Sequence, residues 1–234
     1  MPMAVLNGEL VPAASVALAP TDAGVVFGAT VTDYCRTFGG KLFRYPLHVE
    51  RLRRDCAACF VPFLQADERL IELAEELVRL NGPGDLALIT FATPGPLASM
   101  GGSGAPTLVM HTFPIPSARY RPFFTEGVHL MPFDGSPVFP SAKHRSRLPW
   151  WRAAHLAEGV PLLVADGTVC ETAIGNVLLA RGDEIVAAPP RLVLDGLSQR
   201  ITREMYELSA PSAAALARSP LDRRRPDRRR RGAA

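Results

Sequence analysis

In "AVLNGELVP" two short apolar runs flank Asn7-Gly8, a pair that accepts the positive φ angles of a type I′ turn, and this predicts a β-hairpin. β-branched and aromatic residues fill "GVVFGATVTDYCRTFGGKLFRY" on both sides of Gly39-Gly40, which reads as a second strand–turn–strand unit. The period then changes. "PLHVERLRRDCAACF" sets Leu47, Leu52 and Cys56 on one side of a helix and arginines on the other. "DERLIELAEELVRLNGPGD" is an amphipathic helix closed by Asn81-Gly82-Pro83. "LALITFAT" and "PTLVMHTFP" follow as buried strands around a Gly/Ser/Pro-rich loop, Pro94 to Pro106.

Prolines and mixed polar residues in "PIPSARYRPFFTEG" suggest an interdomain linker at 116–124, after a first domain over 1–115. A second domain over 125–209 would hold a strand at Val128 to Met131, a helix from about Leu148 to Glu158 and a hairpin turning at Asp166-Gly167. Further strands in "NVLLA" and "EIVAAPP" precede a final helix starting near Gly196 and Ser198. Hairpins mixed with helices, rather than strict strand–helix alternation, predict an α+β fold.

Composition changes this picture little. The 234 residues are 47% hydrophobic and 21% charged, the balance of a globular protein of one or two domains. No apolar run is long enough to span a bilayer, and "MPMAVLNGEL" lacks the pattern of a secretory leader, so a cytoplasmic protein is expected. Cys56 and Cys59 have no second pair or adjacent histidine to complete a metal site and read as small helix side chains; no metal is expected. The net charge of +3 comes from the end of the chain, "RSPLDRRRPDRRRRGAA". Residues 210–234 read as a solvated, disordered basic tail, with nucleic-acid binding the less favoured reading.

Arginine carries nearly all the positive charge, and Lys41 and Lys143 are the two lysines of the whole sequence. Lys143 precedes a helix in a loop, where a flexible amine can enter a cavity and do carbonyl chemistry. Glu171 ends the apolar strand "TVC", and "LDGLSQR" offers a glycine and helix-start amides to a phosphate. A lysine, a carboxylate and a phosphate cradle are the parts that pyridoxal phosphate requires.

Taken in order, these motifs resemble the class IV, fold type IV family of pyridoxal-phosphate enzymes, which includes branched-chain and D-amino-acid aminotransferases and aminodeoxychorismate lyase. The resemblance runs from about Leu6 to Ser209. "GGKLFRYPLHVERL" is similar to the family's strand and His-x-x-Arg-Leu helix, which implies a phosphate contact for Arg51. "AKHRSRL" resembles the segment with the Schiff-base lysine, implying for Lys143 that role and the proton shuttle. "DGTVCETAIGNVLLARGDEIVAAPP" matches the Asp-Gly-x-Val-x-Glu, four residues, Asn pattern, so Glu171 would pair with the pyridine nitrogen and Asn176 would support the turn. In "LVLDGLSQRITREM", Leu194 would pack on the cofactor ring while Leu197 and Ser198 bind phosphate.

The resemblance further implies amino acid and 2-oxo acid substrates, pyridoxal 5′-phosphate as cofactor and a homodimer. Aminodeoxychorismate lyase activity and an inactive family member remain alternatives. Thr32 stands where the family has an aromatic residue near the substrate, and "TPGPLASMGGSG" lacks the arginine with which D-amino-acid aminotransferases hold the substrate carboxylate. D-amino-acid specificity is therefore not expected. Family members continue with further strands where this chain reads "APSAAALARSPLDRRRPDRRRRGAA", so a truncated C-terminal domain, through a frame change or truncation of the coding sequence, is also expected.

Overall fold

Asn7 and Gly8 adopt φ of 53° and 93°, the left-handed backbone expected of Asn-Gly. They join β1 (Met3–Leu6) to β2 (Glu9–Pro12) in an antiparallel hairpin. The computed structural model describes residues 1–156, 158–182 and 184–206, and the chain forms two compact units. Met1–His129 and Val138–Gly159 make the first; Leu130–Pro137 and the chain from Val160 onward make the second. The predicted tail at 210–234 and the last residues of the predicted final helix lie outside the described residues.

In the first unit a short α1 (Ala23–Val26) is followed by β3 (Val31–Phe38) and β4 (Lys41–Leu42), which turn at Gly39-Gly40. α2 (Tyr45–Ala58) begins after Arg44, itself left-handed at φ 49°, with Pro46 in the first turn, where a missing N–H costs nothing. α3 (Asp67–Leu80) carries Asp67 and Glu68 in its first turn and Arg79 in its last, charges that suit the helix dipole. β5 (Leu86–Thr93) and β6 (Thr107–Pro114) complete a six-stranded sheet of order β2-β1-β6-β5-β3-β4.

Strand alternation gives this sheet two faces. Val5, Val31, Cys35, Leu88 and Met110 pack with Val49, Leu52 and Cys56 of α2 and Leu70, Leu73 and Leu77 of α3 to form the core. Each such buried leucine contributes about 1.5–3 kcal/mol. Across the register Thr32↔Phe91 and Tyr34↔Ile89↔His111, the other face carries Thr32, Tyr34, Ile89, Phe91, His111 and Phe113.

Residues 117–125 differ from the linker predicted at 116–124: they form α4 (Ser117–Thr125). Pro116 stands just before its first turn, where proline is tolerated, so one of the two linker signals is a helix-start signal instead. The division into units also departs from 1–115 and 125–209. Residues 138–159, with α5 (Leu148–Leu156), return to the first unit, because the chain near residue 143 hydrogen-bonds to β3 and α2.

The second unit has β7 (Leu130–Asp134) parallel to β8 (Val160–Ala165), which pairs antiparallel with β9 (Thr168–Thr172) through a turn at Asp166 (φ 48°) and Gly167 (φ 72°). Pro132 sits in β7, an edge strand, where its missing donor is harmless. β10 (Leu178–Arg181) and β11 (Glu184–Ala187) form a hairpin, and α6 (Leu197–Met205) follows. No helix among the described residues is long and apolar enough to cross a membrane.

Cys56 is buried and Cys59 partly so, both as free thiols. Burial, then the neighbouring Cys59 and Asp55, push the Cys56 thiol up to about 12, so it packs as a neutral side chain.

Candidate active site

Residues 143–145 run antiparallel to the start of β3. The Thr32 N–H donates to the Lys143 carbonyl at 2.8 Å, the Arg145 N–H donates to the Thr30 carbonyl at 2.9 Å, and His144 bridges Val31. On its other side, the Lys143 N–H donates to Asp55 Oδ2 at 2.8 Å. Asp55 is fully buried on α2 and accepts from Arg54 through Oδ1. The backbone at Lys143 is thus fastened through both its N–H and its carbonyl, whatever its side chain does.

Asp55 ends a stripe on α2 that also holds His48 and Arg51, at the spacing of one helix face. Arg51 is 5% exposed and donates to Asp33 Oδ2 from Nε at 2.9 Å and from Nη2 at 2.7 Å; His48 Nδ1 lies 2.6 Å from Asp33 Oδ1. Burial alone would raise the Asp33 carboxyl, but the His48 hydrogen bond and the Arg51 charge together hold it below the usual carboxylate value. The sequence pattern put the α2 arginines on the outer side. Arg51 departs from that because a charge can be buried when a carboxylate meets it. Lys143's backbone is bound one helical turn from Arg51, so the first unit brings these two predicted residues to one helix face.

Thr32 stands at the same place. It is buried, its hydroxyl donates to the Thr90 carbonyl at 3.1 Å and accepts from Arg145 Nε at 3.3 Å.

In the second unit the four residues after Glu171 fold back on themselves. Thr172 bonds Gly175 through both its N–H and its hydroxyl at 2.9 Å, which returns the chain to Asn176 opposite Glu171. Asn176 Nδ2 donates to Glu171 Oε2 at 3.3 Å and to the Leu194 carbonyl at 2.9 Å, and the Leu194 N–H donates to Glu171 Oε2 at 3.1 Å. A carboxylate, an amide and a loop backbone therefore lock one another. Gly196 completes the knot, since a Cβ there would lie 2.1 Å from Asn176 Oδ1.

Leu197 and Ser198 open α6, whose N-terminus has no side-chain cap. Gln199 is buried, and its Nε2 has no hydrogen-bond partner among the described residues. Uncapped helix-start amides, a close-packed glycine and an orphaned buried amide donor fit an anionic group such as a phosphate. The predicted Glu171, Asn176, Leu194, Leu197 and Ser198 are thus neighbours within this unit.

Sequence reasoning missed Asp33, His48, Asp55 and Gln199. His48 and Asp55 carry a signal, their spacing from Arg51 on one helix; nothing local marks Asp33 or Gln199. A cavity of about 860 Å³ in the first unit, lined by Lys41, Arg44, Ile71 and Arg79 among others, includes none of the predicted residues.

The family model described as amino-transferase class IV matches residues 30–209. A D-alanine aminotransferase of Staphylococcus aureus (strain N315) is 36% identical over 90 residues, 38% of this chain and 32% of that protein. One of Staphylococcus epidermidis (strain ATCC 12228) is 31% identical over 114 residues, 49% of this chain and 37% of that protein. The chain therefore spans about a third of the length of these curated relatives. Among solved structures, the Escherichia coli branched-chain amino acid aminotransferase superposes with a TM-score of 0.78 at 16% identity, covering 90% of this chain and 77% of that one. A hypothetical aminotransferase from Mycobacterium tuberculosis, in a PLP-bound form, gives 0.77 at 23% identity, covering 92% and 83%. At these identities the likeness is one of fold, and the fold is that of the type IV aminotransferases.

Proposed function

The chain belongs to the class IV amino-transferase family, and from that premise we propose that it is a pyridoxal-phosphate-dependent transaminase moving an amino group between an amino acid and a 2-oxo acid. The observation that carries this reading is the fastening of Lys143 by Asp55 and Thr32 beside the helix face of Arg51. When bound, the cofactor supplies an electron sink for the pair released as the substrate Cα–H bond breaks.

The residues of this chain do the rest. Lys143 would hold the cofactor and move the proton at Cα, with its backbone fastened at both its N–H and its carbonyl. Glu171 would keep a proton on the ring nitrogen, held for that task by Asn176 and the Leu194 N–H. Leu194 would pack against the ring. The Leu197 and Ser198 amides at the start of α6 hold the phosphate, with Gln199 Nε2 as a further donor. Arg51 adds positive charge from a guanidinium that Asp33 orients. Self-association as a homodimer is part of the same proposal, supported by exposed aromatics such as Phe60 at 91% and Phe124 at 88%.

The test is the absorption spectrum of the protein with added pyridoxal phosphate, native and Lys143→Ala, before and after borohydride. A yellow band that borohydride bleaches, seen in the native chain and missing from the variant, is the expected result; no band in either overturns the proposal. Amino-group transfer that requires a 2-oxo acid acceptor is then expected. Acceptor-free release of pyruvate from aminodeoxychorismate would make it a lyase.

A further inference from the structure

Because residues 143–145 pair with β3 in an extended conformation, Lys143 and Arg145 leave the chain on the same side, about 6.5 Å apart along it. That is the side of Thr32, whose hydroxyl Arg145 Nε meets at 3.3 Å. The Arg145 guanidinium lies 5.2 Å from the centre of the Phe91 ring. Beyond Phe91 the rings continue as a row: Phe91–His111 at 6.5 Å, His111–Phe113 at 6.3 Å and Tyr34–Phe113 at 6.3 Å.

Two features of this cation leave it available to a ligand. Arg79 pairs with Glu76 and Arg181 with Glu184, whereas no carboxylate of the described residues lies within ion-pair distance of Arg145. Arg145 is also exposed as a residue, so a ligand can reach it from solvent. Partial burial of its guanidinium first, and the nearby Arg147 second, lower the Arg145 pKa; burial and then Arg145 lower that of His111. A guanidinium against an aromatic wall, with no acid beside it, fits an incoming carboxylate that carries an apolar body.

We propose that Arg145 binds the carboxylate of the amino acid and 2-oxo acid on which Lys143 acts, and that the Phe91–His111–Phe113–Tyr34 face receives a large apolar or aromatic side chain. Lys143 must reach the substrate Cα, which is bonded directly to the carboxylate carbon, so the clamp must stand close to the lysine on the same side. Residue 145 meets that requirement. It also explains how the chain manages without an arginine in the loop 94–106. This inference rests on the transaminase reading for its biological meaning, but the binding itself does not require the cofactor.

The test uses two unreactive probes, 3-phenylpropanoate and its neutral counterpart 3-phenylpropan-1-ol, titrated by calorimetry into the native protein, Arg145→Gln and Arg145→Lys. The backbone bonds of 143–145 are untouched by either substitution. Arg145→Gln is expected to weaken the acid by roughly 10- to 100-fold while leaving the alcohol unchanged, the loss of one charge-assisted contact. Arg145→Lys should recover part of the difference. Equal binding of the acid to native protein and Arg145→Gln overturns the proposal, as does parallel weakening of acid and alcohol. Arg145-dependent binding in a protein that gives no cofactor band would sink the transaminase reading and leave the clamp. A cofactor band without Arg145-dependent binding would do the reverse.

Discussion

The two units hold their chemical groups by different means. In the first, Asp33, Arg51 and Asp55 are charged residues sunk between helix and sheet, 4%, 5% and 0% exposed, so they belong to the core as much as to the site. In the second, Glu171, Asn176 and Leu194 are only partly buried and are locked by turn geometry and three hydrogen bonds. The first arrangement couples the site to global stability; the second couples it to the shape of one loop. A substitution should therefore report on folding in one unit and on local order in the other.

The sharpest way to break this contrast is Asp33→Asn, which leaves the Arg51 cation buried without its carboxylate. It should cost about 3–5 kcal/mol by urea denaturation; a cost under about 1 kcal/mol would mean that the pair is not part of the core. The same residue fixes a pH dependence. Its carboxyl is held low in the folded state, so its stabilisation is complete above the ordinary Asp value of about 3.9 and is lost as pH falls through the lowered one. The urea midpoint of the native protein should fall over that acid range, and the fall should shrink in Asp33→Asn.

Gly196→Ala pushes a methyl group into Asn176 Oδ1 and should cost about 1–3 kcal/mol. Its signature would be faster amide exchange near residues 171–176 and 194–198, with the first unit unaffected; exchange that rises equally in both units would erase the distinction drawn above. Asn176→Ala, which removes two hydrogen bonds from a site that water can enter, should cost about 0.5–1.5 kcal/mol. The smallest effect is expected from Lys143→Ala. Alanine keeps the N–H and carbonyl bonded to Asp55 and Thr32, so thermal melts should place it within about 0.5 kcal/mol of the native protein.

Local features were legible in the sequence. Asn7-Gly8 and Asp166-Gly167 turn hairpins because their backbones need positive φ, and α3 spans the amphipathic period read for it. Two kinds of feature were not legible. One is return: nothing in residues 138–159 says that they rejoin the first unit, because their partners Thr30, Thr32 and Asp55 lie about ninety residues or more away. The other is buried charge. Hydropathy sends Arg51 and Asp55 outward, and only their mutual arrangement with Asp33, His48 and Lys143 makes the interior tolerable. In the second unit the predicted residues were legible as a set, since Glu171 and Asn176 are five apart and one tight turn suffices to join them.

The bond between Asp55 and Lys143 spans 88 positions, and that span bears on how the chain is made. A ribosome adding roughly 5–20 residues per second needs roughly 4–18 s to pass from one to the other. Throughout that interval the Asp55 carboxylate has Arg54 but not Lys143, and the helix–sheet layer around it is one segment short. The nascent first unit must therefore wait with an open edge while β7, a strand destined for the other unit, is already being made. Non-local closure of this kind slows folding, and it makes residues 138–159, the lysine and α5 together, the last piece of their unit to arrive.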